Sequence, residues 1–298
     1  MTDTKREELL GFLSEFNYTE GEIAGILEIY DAFSEKKEAV ALFDKYYIPY
    51  REHGIIDANG FVEFFPEIAA AAGMNPIKLA FPLSALLITH SRRVYEKQGV
   101  SYKIWHDSMR DLRFKLHECK AVHGFWGHMS INWNKGWLLG TRYTLHRLQF
   151  EVIDYYNPDY KSERFDVKVG DKVINIHIPS DKELKFTPEN CEISYALARE
   201  FFKDKVGGKV IFHCSSWLLY PEHSRILPES SNIRKFAESF EINPPSIKSS
   251  TNNLWRIFNT KELYEDASKY PENSELQRIY KKFLLEGGIP GVAQGLKL

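Results

Sequence analysis

Cysteine is scarce in this chain: Cys119, Cys191 and Cys214 are the three present in 298 residues. An odd and widely spaced set argues against a disulfide framework and for a reducing compartment. An excess of charge of one sign is also missing. With 39 Lys and Arg against 41 Asp and Glu, the formal charge is -2, so no global field is available to hold a polyanion and nucleic acid is a poor expectation. Long hydrophobic runs are lacking too. The longest, from Ile77 to Ile88, is broken by Lys78, Pro82 and Ser84 and falls short of a membrane span. Met1 to Arg6 is polar and leads into an amphipathic segment, not into the apolar core of a secretion signal. The expectation is a soluble, cytoplasmic protein.

What is present is enough for two domains. A chain of this length exceeds the size at which one core keeps growing, and 43% hydrophobic with 27% charged residues is ordinary globular usage. From Glu7 to Phe16 apolar residues recur at helical spacing, and Thr19 with Glu22 forms a capping box before Ile23, Ile26, Leu27 and Tyr30. Further helical runs are expected at about 35 to 47, 61 to 72, 77 to 97 and 102 to 123, the last ended by Gly124. These predict a helical bundle of about six helices over residues 1–125.

After Gly124 the pattern changes, because glycine and asparagine punctuate short aromatic runs and β-branched alternation begins. Tyr143 to Ile153 reads as one strand, and Phe165 to Val169 with Lys172 to Pro179 as a hairpin across Gly170-Asp171. Thr187 is an N-cap with Pro188 at the first helical position, and Ile193, Leu197 and Phe201 are expected to form the buried face. Gly207-Gly208 closes that region. Val210 to Ser215 reads as a buried strand, and a helix follows from Ser230 or Ser231. Leu254 to Phe258 reads as a short strand. Two helices follow, the second opened by the capping box Ser274 to Gln277. The order is α+β over residues 126–298.

Three strings carry a resemblance. They are Tyr143-Thr-Leu-His-Arg-Leu-Gln-Phe-Glu151, Ile176-His-Ile-Pro-Ser180, and Phe212-His-Cys-Ser-Ser-Trp-Leu-Leu-Tyr-Pro221 followed by Leu227-Pro-Glu-Ser-Ser-Asn-Ile233. With the element order they resemble the bacterial N-acyltransferase family that joins a helical N-terminal domain to a GNAT-like mixed α/β domain. The resemblance implies transfer of an acyl group from a thioester, acyl-CoA or an acyl carrier protein, to an amine, with no metal. GNAT enzymes usually hold the coenzyme A pyrophosphate on a glycine-rich loop before a helix. Here that loop is Ser180-Asp-Lys-Glu-Leu-Lys-Phe-Thr187, without glycine. Lys182, Lys185 and the helix start at Thr187 are the candidates for the phosphates, although loop lysines are commonly just solvated.

In the GNAT layout the strand of His177 and the strand of Cys214 part to admit the thioester, and the two side chains would face one another. His177 is the candidate base, since an imidazole titrates near working pH. Cys214 would line the thioester pocket or take the acyl group itself, while a buried strand cysteine is commonly inert. Ser215, Ser216 and Tyr220 are candidate proton donors to the leaving thiolate, Tyr220 being the weakest, and Trp217 is a candidate for the substrate pocket. Arg147 and Glu151 alternate onto one strand face and could bind a polar acceptor, as an ordinary surface ion pair could also explain. Ser231 and Asn232 open a helix that could meet an anion, or simply cap it. His117, Cys119, His123 and His128 do not have standard zinc spacing. A Cys214/His177 thiol hydrolase or amidase, and a ligand-binding module without catalysis, are the alternatives.

Overall fold

The computed structural model describes residues 4–207 and 209–298. Gly208, half of the expected Gly207-Gly208 closure, lies outside the described residues, as does the very start of the polar N-terminus. The chain forms two compact units, residues 1–144 and 145–298.

The first unit is helical: α1 (Thr4–Glu15), α2 (Glu20–Ser34), α3 (Lys37–His53), α4 (Ala58–Ala72), α5 (Pro76–Lys97), α6 (Tyr102–Met109), α7 (Asp111–His123) and α8 (Asn134–Leu138). The Thr19–Glu22 capping box starts α2, and Asn75 caps α5 with Pro76 at its first position. The expected run 102 to 123 is two helices that break at Arg110. Helix α5 is the axis of the bundle, buried from Leu79 to Ile88, which accounts for the long apolar run. No single helix among the described residues is long and apolar enough to cross one. The unit extends past residue 125 because α8 packs on α4 and α5. There Asn134 donates to the Ser84 hydroxyl at 2.6 Å and its Oδ1 lies 3.0 Å from His128 Nε2.

Strand β1 (Arg142–Leu145) carries the chain from the first unit into the second. The second unit continues with β2 (Leu148–Asp154), β3 (Tyr160–Lys161), β4 (Asp166–Val167), β5 (Lys172–His177), α9 (Pro188–Phe202), β6 (Phe212–Ser216), α10 (His223–Ile226), α11 (Asn232–Glu238), β7 (Glu241–Ile242), β8 (Lys248–Ser249), α12 (Leu254–Phe258), α13 (Glu275–Leu285) and β9 (Gly291–Lys297). Its sheet runs β2-β5-β6-β9-β7, antiparallel except for the β5–β6 pair, with β8 on β9. One face is packed by α9: Phe150, Tyr195, Phe202 and Phe212 meet at ring distances of 5.1 to 6.5 Å. At one end of the other face, the β3–β4 hairpin covers an apolar cluster of Tyr155, Phe165, Val167, Val173 and Leu296.

Several expectations are corrected here. Tyr143 to Ile153 is not one strand, because His146 at φ 65° makes a two-residue turn between β1 and β2. The Gly170-Asp171 turn exists, but β4 pairs with β3 and β5 with β2, so the flanking segments do not pair with each other as a hairpin. In α9 the buried residues are Cys191, Ser194, Tyr195, Ala198 and Phe202, while Ile193 and Leu197 are exposed. The sheet favours the aromatic stripe one step around the helix. Leu254 to Phe258 is helical, its apolar side packed with Tyr270, Tyr280 and Phe283. Strand β9, which pairs with three others, was not anticipated at all.

Candidate active site

The parallel ladder between β5 and β6 has two register pairs, Ile174↔Phe212 and Asn175↔His213. Beyond them β5 runs on to His177 and β6 to Ser216 without further pairing to one another. Strands that continue past the end of their ladder leave an opening between them, and chemistry-bearing residues stand at its mouth.

Register decides which side each residue takes. Neighbours in a ladder share a face and successive residues alternate. His177, Asn175, Glu151 and Gln149 therefore lie on one face, with His213 and Ser215 beside them and Gln294 paired to Ser215. Cys214 falls on the opposite face among the α9 contacts. The expected juxtaposition of His177 and Cys214 is therefore not found: the thiol is fully buried, and desolvation raises its pKa far above that of an ordinary cysteine. A thiol held protonated in packed hydrocarbon is neither nucleophile nor pocket wall for this face.

The face is instead organised by a carboxylate and two imidazoles. His177 Nε2 lies 2.6 Å from Glu151 Oε1, and the Asn175 amide nitrogen lies 3.4 Å from the same carboxylate oxygen and 3.2 Å from that ring nitrogen. Asn175 Oδ1 in turn accepts from His213 Nδ1 at 3.0 Å. Gln294 and Asn157 lie near His213 Nε2 at 3.4 and 3.5 Å. Burial is the main cause that lowers the pKa of His213, opposed by Gln294 and assisted by His177, so this imidazole is held neutral. With Glu151 accepting from His177 Nε2–H, the basic lone pair of His177 is on Nδ1. Tyr156 stands over His213 at 5.6 Å between ring centres, with its hydroxyl near that of Ser215.

The remaining candidates spread out. Ser215 is exposed at the opening, whereas Ser216 caps the short 3-10 turn after β6 by accepting from Leu218 N–H. Trp217 packs instead into the C-terminal cluster against His223 and Tyr280. Tyr220 lies with its ring against the backbone of Gly291 and an edge toward His223. Arg147 does not share a face with Glu151, because it sits in the β1–β2 turn with its guanidinium 5.3 Å from the Phe186 ring centre. Ser231 precedes α11 without a side-chain capping bond, and Asn232 lines a small cavity of about 30 Å³ with Thr187, Cys191 and Lys235. The Zn-like cluster is dispersed: His117 pairs with Glu22, Cys119 is buried and His128 bonds Asn134.

The loop before α9 uses its own side chains to occupy backbone amides that a phosphate would otherwise meet. Asp181 accepts from the amides of Glu183 and Leu184 at 2.7 and 3.1 Å. In the first turn of α9, Pro188 has no N–H, the Glu189 carboxylate accepts from its own amide, and Thr187 accepts from Asn190 and Cys191. The amides of Glu183, Leu184, Glu189, Asn190 and Cys191 are therefore already engaged within the chain and are not offered to a pyrophosphate. Lys182 and Lys185 are exposed on this loop.

Asn175, His213, Asn157, Tyr156 and Gln294 were missed from the sequence. The alternation Asn175-x-His177 and His213-x-Ser215 was the signal for the first two. That alternation is silent until the pairing partner of each strand is known.

The descriptor "GNAT-like C-terminal domain" matches residues 143–297, and "N-acyltransferase N-terminal domain" matches residues 7–140. Among solved structures, the chain is similar to an acyltransferase in complex with decanoyl-CoA and teicoplanin, at 17% identity and TM-score 0.69 over 98% of this chain and 87% of that one. It is also similar to an acyltransferase mutant in complex with octanoyl-CoA, at 16% identity and TM-score 0.70 over 98% and 87%. A third is an acyltransferase in complex with decanoyl-CoA, at 19% identity and TM-score 0.62 over 78% and 67%. Likeness at these identities shows the fold. A comparison with curated proteins finds no match.

Proposed function

The chain belongs to the N-acyltransferase family with a GNAT-like C-terminal domain, and on that premise we propose that it moves an acyl group from a coenzyme A thioester to an amine at the opening between β5 and β6. One observation carries this reading. The parallel ladder between β5 and β6 stops at Asn175↔His213 while both strands continue, and a carboxylate–imidazole pair stands on the half-open face at that point.

The chemistry follows from the residues. An amine attacks the thioester carbonyl as His177 takes its proton on Nδ1, and Glu151 stabilises the imidazolium that results. The tetrahedral adduct then breaks its C–S bond. The departing thiolate needs a proton, and the Ser215–Tyr156 hydroxyl pair is the donor set of this face. Cys214 takes no part, so transfer is direct, from thioester to amine without an acyl-enzyme. Lys182 and Lys185 are the groups offered to the donor's phosphates, as side-chain charges in place of a backbone cradle. The spent amides of α9 also favour a second donor, an acyl carrier protein, whose arm carries one phosphate and asks for no pyrophosphate cradle.

Incubation with octanoyl-CoA or decanoyl-CoA and a panel of primary amines tests the reading. Thiol release that depends on the amine, with an acylated amine found by mass spectrometry, is the expected result. A protein that releases no thiol with any amine from either donor would abandon it.

A further inference from the structure

Gln149 stands directly across the β2–β5 ladder from His177. Ladder partners share a face, so its carboxamide projects to the side of the His177–Glu151 pair. The residue is 1% exposed, yet neither its Nε2 nor its Oε1 has a hydrogen-bond partner among the described residues. His177 and Glu151 beside it keep 18% and 17% of their side chains exposed. The polar strip is thus open at the carboxylate–imidazole pair and closed at Gln149.

Folded proteins pair nearly all buried polar groups. An unmet donor and an unmet acceptor on one buried carboxamide therefore mark a place where a ligand completes the pairing. Gln149 is no member of the neighbouring network, for Asn175 turns its amide nitrogen to Glu151 and His177 and its oxygen to His213. The thioester cannot be the partner expected here. In the acyl-transfer reading it enters between β5 and β6, whereas Gln149 lies across the other edge of β5, on β2, beside the candidate base His177.

A carboxamide presents one N–H and one C=O side by side, which is the complement of the C=O and N–H of another amide. We propose, resting on the acyl-transfer reading above, that Gln149 binds the acyl acceptor through a secondary amide next to the amine that is acylated. The acceptor is then a peptide-like amine. An alkylamine of the same length leaves both groups of Gln149 buried and unmet, and sites of that kind reject the wrong ligand strongly.

The full chain is assayed with octanoyl-CoA and two isosteric acceptors, glycylglycine and 5-aminopentanoate, with kcat/KM taken per unprotonated amine because the amine beside a peptide bond is the weaker base by about two to three pKa units. Wild type is expected to favour glycylglycine by about tenfold or more in kcat/KM. Gln149→Met and Gln149→Leu should erase that preference by raising the glycylglycine KM, with kcat and the octanoyl-CoA KM held. Their melting temperatures should equal or exceed the wild-type value, because an unpaired buried amide is removed. A wild type without preference, or a preference that survives both substitutions, overturns the proposal. So does a fall of several degrees in both variants, which would make Gln149 a structural residue already satisfied in the fold. Silence with both acceptors and with the wider amine panel sinks the acyl-transfer reading instead, and the melting measurement still judges Gln149.

Discussion

His177 and Glu151 meet across the β2–β5 ladder with Nε2 and Oε1 2.6 Å apart, although the residue directly opposite His177 in that ladder is Gln149. The contact is diagonal. A diagonal reach is within the length of these side chains, and it sets the ring so that its basic nitrogen is turned away from the carboxylate.

The first prediction concerns this pair. His177→Gln should lower kcat of amine-dependent thiol release by about 10² to 10⁴, the range general-base removal produces. Glu151→Gln should lower it less, since the imidazole remains. An activity within about twofold of wild type for His177→Gln would remove the imidazole from the mechanism.

Cys214 gives the opposite expectation. Cys214→Ala should leave kcat near wild type and cost stability by about 1 kcal/mol through the small void it opens. Cys214→Ser should cost more, by about 1–3 kcal/mol, because a hydroxyl is then buried among hydrocarbon. Intact-mass measurement after exposure to octanoyl-CoA should find no acyl adduct on this residue; a stable adduct would restore the covalent route.

The donor side is tested by charge. The double substitution of Lys182 and Lys185 to Glu should raise the KM for acyl-CoA several-fold or more, with the effect shrinking as salt is added, because exposed charges are screened over roughly 8–10 Å. The acceptor KM should hold. Equal donor KM values at low salt would show that the phosphates lie elsewhere.

Acid should destabilise the protein through its buried histidines. Burial pulls His128 down to about 4, opposed by its bond to Asn134 and assisted by Lys115, and it lowers His213 and His223 as well. A folded pKa below the unfolded one means that the unfolded chain binds more protons. Stability is then complete above the unfolded value near 6.5 and is lost as pH falls from there toward the folded value. For His128 the loss is on the order of 3 kcal/mol by pH 4. Chemical denaturation from pH 7.5 to 4 should show a decline that is shallower in His128→Gln. An equal slope in the two proteins would contradict the assignment.

Local order was legible in the residues themselves. Thr19 with Glu22, Ser274 with Gln277, and Thr187 before Pro188 start the helices they were expected to start, because a cap is satisfied within four residues of chain. His177 and Ser215 were likewise recognisable as strand-end residues of the second unit. Strand β9 and the helix at Leu254 to Phe258 were not. Gly291 to Leu298 has little β-branched content of its own, and its strand exists because β6, β7 and β8 supply its hydrogen bonds.

The face on which each side chain acts was decided by tertiary structure. Alternation along one strand says that neighbours point apart, but it does not say which of two strands' odd or even residues share a side. That requires the register, and the pair Asn175↔His213 puts His213 with His177 and sends Cys214 into the core. A shift of a single residue in that pairing would exchange the two. The residues therefore determined that an imidazole and a thiol would stand on the central strands, while hydrogen bonds between segments nearly forty positions apart determined that only the imidazole faces the opening.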